Sequence, residues 1–480
     1  MDNQYPRCIL SSQLFHKYGG VHVTLYNDIL TWKDVWTITN NRSYGIGSKP
    51  QPASIHAYQV REIVAVHKTY INDQTKAAKH LLQNPYAFTV FYVRRMKQHQ
   101  WQCDEMAFHC SDQDLCERWI QAINDQLSLQ TDRPKSLLVY VNPFGGKRQG
   151  KCIYDQKVAP LFSRACISTD VIGSTDCTCF ATVGTNDAVT SALHIIIGDS
   201  QPMDVCSVYH GDTFLRYSVT LLGYGFYGDI LSDSEQKRWL GPARYNLSGV
   251  KTFLTHNYYE GTVSFVPAED DMGSPRDKEP CRSGCCVCQR KASLKASQSD
   301  VPGEKETCDT DNWTEICGKF IAINVATMSC ASPQSWKGLS PSAHLADGTA
   351  DLILVRECSR LDFFKHLLRH TNKEDQFDHS FVEVHRVRKF RFQPSHQETV
   401  SLEDMKPDSS PICSEATRCH CHDCACSHWT CDGEILPHVD IQASVQCQLI
   451  TLFARGIEET HGPGEHLGWL PEAGPHQSAG

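Results

Sequence analysis

Short apolar runs separated by polar turns dominate the first 128 residues of the chain. Four of them have the length and the β-branched and aromatic content of strands, at residues 21–26, 29–32, 63–66 and 86–93. The pattern changes to a helical period from Asp112 to about Leu127, with an apolar face formed by Leu115, Trp119, Ile120 and Ile123. Residues 1–128 are therefore predicted to form a small β domain that ends in one amphipathic helix.

The pattern between residues 134 and 200 is different. A polar linker precedes a five-residue apolar run at 137–141, which predicts a short buried strand. A helix is predicted near residues 154–161 and a second strand at 165–172. The pattern therefore predicts a strand, a helix and a second strand in this part of the chain.

From Ala192 onward the pattern is mainly that of strands, and it predicts a β-rich domain over 201–457. The clearest strands are at 215–222, 319–325, 350–355, 381–392 and 439–453. One amphipathic helix, at residues 361–370, has a basic face. Such a helix is more often a core helix with one wet side, but basic amphipathic helices are also calmodulin targets, and both interpretations stay open.

Two polar segments interrupt and follow this β-rich region, at residues 267–311 and 458–480. Both segments lack the apolar content that a packed core requires. We therefore predict a disordered insert and a disordered tail.

Cysteines cluster at two places in the chain. Cys281, Cys285 and Cys288 form a C-x3-C-x2-C pattern, which with a fourth ligand would suit zinc or an iron–sulfur cluster. The second group, at residues 419–426, fits no common zinc module. Redox-sensitive surface thiols are the alternative for both groups, and no residue is assigned as a metal ligand.

The overall composition excludes some classes of function. The chain has 480 residues, of which 40% are hydrophobic, and a formal net charge of −9. This balance gives no electrostatic case for nucleic-acid binding, and no apolar run approaches the roughly 18 residues of a membrane-spanning helix. The first residues lack a signal-peptide pattern, so we expect a cytoplasmic protein whose 24 cysteines are mostly reduced.

A candidate phosphate-binding loop follows the first strand of the α/β region. Asn142 and Pro143 end that strand, and Phe144, Gly145 and Gly146 lead through two basic residues into a helix. Glycines let backbone N–H groups approach a phosphate, and a helix N-terminus adds a favourable dipole. The loop is not a Walker A motif, and an ordinary strand–turn–helix corner is an equally good interpretation.

Residues 223–229 contain a literal Gly-x-Gly-x-x-Gly followed by Asp229. A dinucleotide fingerprint also requires a following helix and an acidic residue about 20 positions further on, and the sequence indicates neither. We therefore interpret these residues as a glycine-rich β turn.

Three cations, Lys237, Arg238 and Arg244, lie close together in the segment 234–245. Arginine binds phosphate oxygens with a forked geometry, which makes this segment a candidate phosphate contact. The alternative is a solvated helix end.

Five motifs occur in the order that is seen in the diacylglycerol, sphingosine and ceramide lipid kinases, at 142–147, 173–176, 223–229, 234–245 and 432–434. The front domain resembles a pleckstrin-homology (PH) domain, and with the first cysteine group it makes the resemblance strongest to the ceramide branch. The resemblance covers nearly all of residues 1–457. It implies an α/β plus all-β fold: an N-terminal PH-like domain, an α/β nucleotide domain that is truncated here, and a mostly β C-terminal domain.

This resemblance implies a kinase that moves the γ-phosphate of ATP, with Mg²⁺, to the primary hydroxyl of ceramide and makes ceramide 1-phosphate. By matching motif, residues 142–146 should cradle ATP, and Arg238 and Arg244 should contact its phosphates. Glu434 should lie near the nucleotide and the metal, and Asp229 is a candidate for binding the polar end of the lipid. Phosphoryl transfer needs such positioning and charge neutralisation, and a carboxylate that takes the hydroxyl proton.

The implied partners are ceramide and phosphoinositide-containing membranes, with peripheral attachment to the Golgi and the plasma membrane. Calcium would act through calmodulin. These expectations come from the resemblance and not from the composition of the chain.

One family motif is missing from this chain. The related kinases carry Gly-Gly-Asp-Gly between the first glycine loop and residues 173–176, and its Asp is the general base in the sphingolipid branch. Here Gly19-Gly20 precedes Val-His and Gly145-Gly146 precedes Lys-Arg. The strand predicted at 165–172 runs directly into the next motif, although crossovers between parallel strands need a dozen or more residues. We interpret this gap as an internal deletion.

Two functions therefore remain open for the chain. Glu434 could serve as a substitute base, although it cannot replace the missing wall of the ATP site. The alternative is a catalytically inert protein, in which the front domain still binds phosphoinositides and membranes while the kinase region is a remnant. The absent motif favours this alternative for the chain as written.

Overall fold

The computed structural model describes residues 7–37, 55–69, 84–141, 149–172, 184–241, 243–269, 273–299, 312–332, 335–395 and 426–458. The glycine loop predicted at 142–146 lies outside these residues. So do the Gly-Ser-Thr-Asp motif at 173–176, the cysteines of the second group before Cys426, and the tail from residue 459.

Seven antiparallel strands form the first sheet, in the order β4-β3-β2-β1-β7-β6-β5. The elements are β1 (Cys8–His16), β2 (Gly19–Tyr26), β3 (Ile29–Thr37), β4 (Ile55–Gln59), β5 (Ile63–Thr69), β6 (Tyr86–Arg95), β7 (Trp101–Cys110) and helix α1 (Gln113–Ser128). Asp112 caps α1 by accepting a hydrogen bond from the Leu115 N–H at 2.7 Å. Cys116, Trp119 and Ile123 lie one helical turn apart and are fully buried. The predicted β domain with a terminal helix is confirmed.

The second unit contains a parallel strand pair in the part of the chain that the structure describes. Its elements are β8 (Ser136–Tyr140), α2 (Gly150–Ile153), a π-helical turn (Tyr154–Val158), α3 (Ala159–Arg164), β9 (Ser168–Ile172) and α4 (Ala188–Ile197). This unit shares a core with the front domain, where Val64, Phe91 and Trp101 join Leu193 and Ile196. The predicted α/β character is confirmed, and the two units are packed together.

Helix α4 corrects one prediction, because the pattern from Ala192 onward was interpreted as mainly β. The helix begins after Asp187, which accepts a hydrogen bond from the Thr190 N–H at 2.8 Å, and it ends at Gly198 with a left-handed φ of 77°. Its second half is buried almost all round, so it shows no polar face and no helical period.

Ten strands form the second large sheet, which is antiparallel throughout the described residues. They are β10 (Gln201–His210), β11 (Thr213–Ser218), β12 (Leu221–Gly225), β13 (Tyr259–Pro267), β14 (Thr314–Ala326), β15 (Ala350–Arg356), β16 (Val382–Pro394), β17 (Thr430–Cys431), β18 (Glu434–Ile435) and β19 (Ile441–Leu452). Strand β15 pairs with β14 and β16. Phe320, Phe392 and Trp429 fill the core of this sheet, and the predicted β-rich domain is confirmed.

Four helices accompany this sheet: α5 (Phe226–Glu235), α6 (Ala243–Thr255), α7 (Cys286–Ser299) and α8 (Arg360–Arg369). In α8, Phe363 and His366 are buried, so one side of this helix packs on the core as the sequence predicts, and the other side is exposed. Among the described helices, none combines the length and apolar character needed to cross a membrane.

The interpretation of residues 223–229 as a β turn is wrong. Strand β12 runs directly into helix α5, with Gly225 at the junction. Gly225 has a φ of 76°, and a Cβ atom there would lie 2.3 Å from the Ile321 carbonyl oxygen. Glycine is needed here for two reasons: the backbone is left-handed, and the neighbouring strand packs too close for a side chain. Because β12 belongs to an antiparallel sheet, the rejection of a dinucleotide site is unaffected.

The prediction of a disordered insert at 267–311 is wrong for residues 273–299. They form a loop followed by α7, and the buried Cys288 packs with Met203, Met328 and Leu345. The Ser283 N–H also donates to the Ile457 carbonyl at 2.9 Å. The polar composition was misleading because this segment is held by a few cysteines and by backbone hydrogen bonds. Residues 300–311 lie outside the described part.

Candidate active site

Helix α5 carries the candidate lipid-binding carboxylate, Asp229, in its first turn. Asp229 accepts a hydrogen bond from the Ser427 hydroxyl at 2.6 Å and a second, short one from the Tyr259 hydroxyl. Burial raises the pKa of Asp229, and these two hydrogen bonds oppose the increase. The result is a largely buried carboxyl group, held in one orientation, that can accept or share a proton.

The segment leading into β17 lies directly on the first turn of α5. A Cβ atom at Gly228 would lie 1.9 Å from the His428 carbonyl oxygen, so only glycine allows this approach. The same contact positions Ser427 beside Asp229 and brings the β17–β18 hairpin to the helix.

That hairpin contains Asp432 and Glu434, which have different surroundings. Asp432 has a left-handed φ of 50°, and its carboxylate accepts the backbone N–H groups of Val219, Thr220 and Leu221 at 2.7, 2.9 and 3.0 Å. These hydrogen bonds also interrupt the strand predicted at 215–222, which is two strands, β11 and β12. Asp432 therefore anchors the hairpin, a role that the sequence analysis missed.

Glu434 has a side chain that is 68% exposed, and it pairs with the Arg216 Nη1 at 2.5 Å. A divalent metal ion such as Mg²⁺ prefers carboxylate oxygens with room for water. The oxygens of Asp432 are already occupied by backbone donors, whereas Glu434 has free coordination capacity. Of the two carboxylates of the hairpin, Glu434 could therefore hold a metal ion and Asp432 could not.

The two candidate phosphate-binding arginines meet at one carboxylate. Arg238 Nε donates to Glu235 at 2.6 Å, and Arg244 Nη2 lies 3.2 Å from the other oxygen of Glu235. The side chain of Arg238 is 74% exposed, and that of Arg244 is mostly buried. Glu235, which the sequence analysis missed, is six residues after Asp229 on α5, or about 9 Å along the helix axis.

A third carboxylate, Asp233, ties α5 to α6. It accepts hydrogen bonds from the Ser248 hydroxyl at 2.6 Å, from Lys251 Nζ at 2.7 Å and from Lys237. Desolvation opposes ionisation of Asp233, but these three donors lower its pKa well below the usual range. Lys237 is therefore a structural cation and not a free phosphate contact.

A cleft of about 910 Å³ opens between the front domain, the second unit and the large sheet. Its lining comes from parts of five segments, 98–99, 184–186, 275–282, 329–345 and 373–377. Five of the lining residues are cations: Arg276, Lys278, Arg282, Lys337 and Lys373. The described site residues on α5, α6 and the β17–β18 hairpin do not line it. Residues 184–186 of the cleft lie just before α4. Asp187, the N-cap of this helix, is a signal in the sequence that could have predicted the helix start, and the sequence analysis did not use it.

The fold and this arrangement define a class of protein. A PH-type front domain precedes an α/β unit and a β-rich domain, in which α5 gathers a buried carboxylate and two arginines beside a metal-competent glutamate. This combination is that of a lipid kinase.

The comparisons with known proteins specify the family. The family described as "Ceramide kinase C-terminal domain" matches residues 221–464, and the family described as "Ceramide kinase PH domain" matches residues 10–123. The chain belongs to the ceramide kinase family.

Individual relatives agree with this assignment. The chain is 45% identical to the human protein described as ceramide kinase, over 88% of this chain and 93% of that protein. It is 44% identical to the mouse ceramide kinase, over 87% and 93%. A solved diacylglycerol kinase from Bacillus anthracis str. Sterne covers 67% of this chain and 97% of its own, with a TM-score of 0.36 and 11% identity, which is too weak to support an argument about the fold.

The alignment with the human protein spans 502 positions, which is more than the 480 residues of this chain. The human protein therefore contains residues that have no counterpart here. Family membership implies ATP and a divalent metal as cofactors, a lipid substrate, and membrane binding through the PH domain.

Proposed function

We propose that this lipid kinase acts on ceramide, moving the γ-phosphate of ATP·Mg²⁺ to its primary hydroxyl to give ceramide 1-phosphate. The observation that carries the proposal is the arrangement around α5, which holds the largely buried Asp229 in its first turn and Glu235, the shared partner of Arg238 and Arg244, in its last. The similarity to proteins described as ceramide kinase supports ceramide as the lipid substrate in this proposal.

Each residue has a defined role in this proposal. The loop 142–146 cradles ATP, and the phosphates replace Glu235 as the partner of Arg238 and Arg244. Glu434 lies near the metal. Asp229, held by Ser427 and Tyr259, accepts a hydrogen bond from the polar end of ceramide. Bound Mg²⁺ would neutralise charge on the transferred phosphate.

Two exposed apolar helix faces support a lipid substrate. Leu247, Val250 and Leu254 are exposed on α6, and α8 exposes a similar face with Leu361, Phe364 and Leu368. Phe253 and Phe364 join the two helices, with ring centroids 5.8 Å apart. Contiguous apolar surface of this kind marks lipid or partner contacts. We propose that it contacts the acyl chains or the membrane beside Asp229.

The missing Gly-Gly-Asp-Gly motif limits the activity of the chain as written. Loss of one acid–base group typically costs about 10²–10⁴-fold, and loss of a wall of the nucleotide site costs more. The missing motif therefore favours the alternative, an inert membrane-binding protein, for the chain as written, and we propose ceramide phosphorylation for the chain with the segment restored.

The test measures phosphate transfer from ATP·Mg²⁺ to ceramide in mixed micelles. The chain as written is compared with a version that carries the missing segment between residues 172 and 173. We expect ceramide 1-phosphate from the restored version only. Turnover by the chain as written would place the base elsewhere, and Glu434→Gln would then be the decisive variant. No transfer by either chain would contradict the proposed substrate.

A second experiment tests the arginines in the restored version. Arg238→Ala and Arg244→Ala should raise the KM for ATP at least about tenfold, because each charge-assisted contact with phosphate contributes more than 1 kcal/mol. Arg391→Ala is the matched control, since Arg391 is bonded to Gln442 on the sheet. Equal KM values for all three variants would remove the arginines from the nucleotide site.

Membrane binding by the front domain is proposed for phosphoinositides at the Golgi and the plasma membrane. Two cations of this domain are already paired, Arg94 with Asp104 at 2.8 Å and Arg95 with Glu62 at 2.7 Å. Flotation with vesicles that contain or lack phosphoinositides tests this binding, and equal recovery with both would contradict it.

Calmodulin is a second proposed partner, through which Ca²⁺ would act. Helix α8 exposes Leu361, Phe364 and Leu368 at i, i+3 and i+7, beside Lys365, which is the pattern of an anchor face for a helix-binding groove. Phe364→Asp should abolish Ca²⁺-dependent retention on calmodulin resin. Unchanged retention would exclude this helix as the target.

A further inference from the structure

Three thiols and one imidazole converge where the ordered part of the insert meets the large sheet. Cys281 and Cys285 come from the loop before α7, Cys288 from its first turn, and His344 from the segment before β15. Their ligand atoms all lie within 4.8 Å of one another. The sequence pattern contained the three cysteines, but only the fold adds His344.

The spacing of these atoms suits one ion at their centre. Cys281 Sγ and Cys288 Sγ are 3.8 Å apart, and Cys285 Sγ lies 3.3 Å from His344 Nδ1. A tetrahedral zinc ion with Zn–S bonds of about 2.3 Å separates two sulfur ligands by about 3.8 Å. A disulfide would need about 2.05 Å, and all three cysteines are free thiols.

We propose that Cys281, Cys285, Cys288 and His344 form a structural Cys₃His zinc site. Four protein ligands close the tetrahedral shell, so no position remains for water or substrate. Binding releases the three thiol protons to solvent, and the metal does not change oxidation state. An iron–sulfur cluster is disfavoured because such clusters are generally held by four cysteine thiolates, and the fourth group here is a histidine.

The surroundings are those of a structural metal site. Cys288 and His344 are almost completely buried, and the cluster packs against Met203, Met328 and Leu345. Cys281 and Cys285 are half-buried, so the cluster lies at the edge of the core, with two of its four ligands shielded from solvent. The surface-thiol interpretation is therefore weak for this group.

The site explains how a polar insert becomes ordered. The metal would join the loop and α7 to residue 344, and Gln448 of β19 already bonds the carbonyls of Cys288 and Ala346 at 3.4 and 2.9 Å. Cys281 and Arg282 also line the large cleft. Zinc would therefore hold one wall of that cleft, with its cations, in place.

The test is the metal content of the purified full-length chain, measured by elemental mass spectrometry. We expect about one zinc ion per chain. Cys285→Ser and His344→Asn should each lower the zinc content at least fivefold. Cys286→Ser is the matched control, because Cys286 is exposed and is not a member of the cluster, and it should retain the zinc.

A second measurement does not depend on the folding of variants. The unaltered chain is loaded with Co²⁺ and its visible spectrum recorded. Strong d–d bands with thiolate-to-cobalt charge transfer support a tetrahedral site with sulfur ligands. A weak octahedral spectrum, a chain without zinc, iron with inorganic sulfide in place of zinc, or full zinc content in the His344→Asn variant would each overturn the proposal.

Discussion

Two acidic residues of the hairpin, Asp432 and Glu434, look equivalent in the sequence and differ in the structure. Asp432 is saturated by backbone N–H donors, whereas Glu434 is exposed and has one arginine partner. A saturated carboxylate stabilises the fold, and an exposed one remains available to a ligand. The family motif therefore contains one structural residue and one candidate functional residue.

Asp432→Asn is expected to destabilise the protein by about 2 kcal/mol. Asparagine tolerates the left-handed backbone at this position, so the loss comes from the amide NH₂ group, which cannot accept the hydrogen bonds of both oxygens. Glu434→Gln should change stability by less than about 1 kcal/mol, because its ion pair is exposed. Urea unfolding of both variants checks this difference. An equal loss of stability would mean that Glu434 is also structural.

His366 on α8 and His370, the residue that follows the helix, are titratable groups packed together, with their Nε2 atoms 3.4 Å apart. His366 is buried and His370 is half-buried. Burial, together with the nearby His370, His379 and Arg369, lowers the pKa of His366 to about 3, and burial lowers the pKa of His370 to about 4. Both are neutral in the folded protein at pH 6, whereas in the unfolded chain they begin to take up protons below about 6.5.

Stability is therefore expected to fall as the pH decreases from about 6.5 towards 4, because the unfolded chain then binds more protons than the folded one. Each histidine is expected to lower the free energy of unfolding by on the order of 3 kcal/mol over this pH range. The urea midpoint of the unaltered chain should decrease over this interval more steeply than that of the His366→Gln/His370→Gln variant. Parallel pH profiles for the two proteins would contradict this account.

Helix α5 is the element that connects the candidate site. Its first turn carries Asp229, its last turn carries Glu235, and its length sets the separation between them. The helix can lie against the segment before β17 only because Gly228 has no side chain. The glycine-rich motif thus encodes the packing of a helix and not a nucleotide contact of its own.

Gly228→Ala should lower stability by at least about 2 kcal/mol, since the new methyl group would meet a backbone carbonyl that cannot move alone. The matched control is Gly249→Ala in α6, where the nearest atom to the new Cβ is Ile230 Cδ1 at 3.9 Å. That variant should be stabilised by about 0.5–1 kcal/mol, because alanine favours the helix. Thermal or urea unfolding distinguishes the two. A neutral Gly228→Ala variant would show that the contact relaxes easily.

One ion network joins distant parts of the molecule. Arg95 and Arg455 both bind Glu62 of the front domain, at 2.7 and 3.0 Å, and Arg455 also binds Asp199 after α4 at 2.9 Å. Glu458 bridges the two arginines. Although burial alone would raise the pKa of Glu62, the two arginines hold it below its usual range. The front domain is thus fixed to the rest of the protein by charge as well as by apolar contact.

Arg455→Met is expected to cost about 3 kcal/mol, because it leaves Asp199 and Glu62 with less compensation for their burial. Arg94→Met serves as the comparison, since Arg94 and Asp104 form a partly exposed ion pair whose loss should cost less than about 1 kcal/mol. Urea unfolding of both variants tests the prediction. Equal effects would mean that the network adds no stability beyond a surface pair.

Local patterns in the sequence were sufficient for much of the fold. Helices α1 and α8 and about half of the strands, among them β2, β3, β5, β6, β14, β15, β16 and β19, follow from hydrophobic period, because this signal acts between residues close in the chain. Other strands, including β1, β4, β7, β10 and β13, were not predicted. Helix α4 and the ordered part of the insert were missed. The first is buried on all sides, and the second depends on cysteines that pack against residues far away.

The sequence by itself determined the family, the order of its motifs and the absence of Gly-Gly-Asp-Gly, since these are properties of linear order. Only the tertiary structure decided that Ser427 holds Asp229 and that His344 joins the cysteines. Ser427 and Asp229 are 198 positions apart. Contacts between such distant residues depend on strand order and close packing, which a linear pattern does not contain.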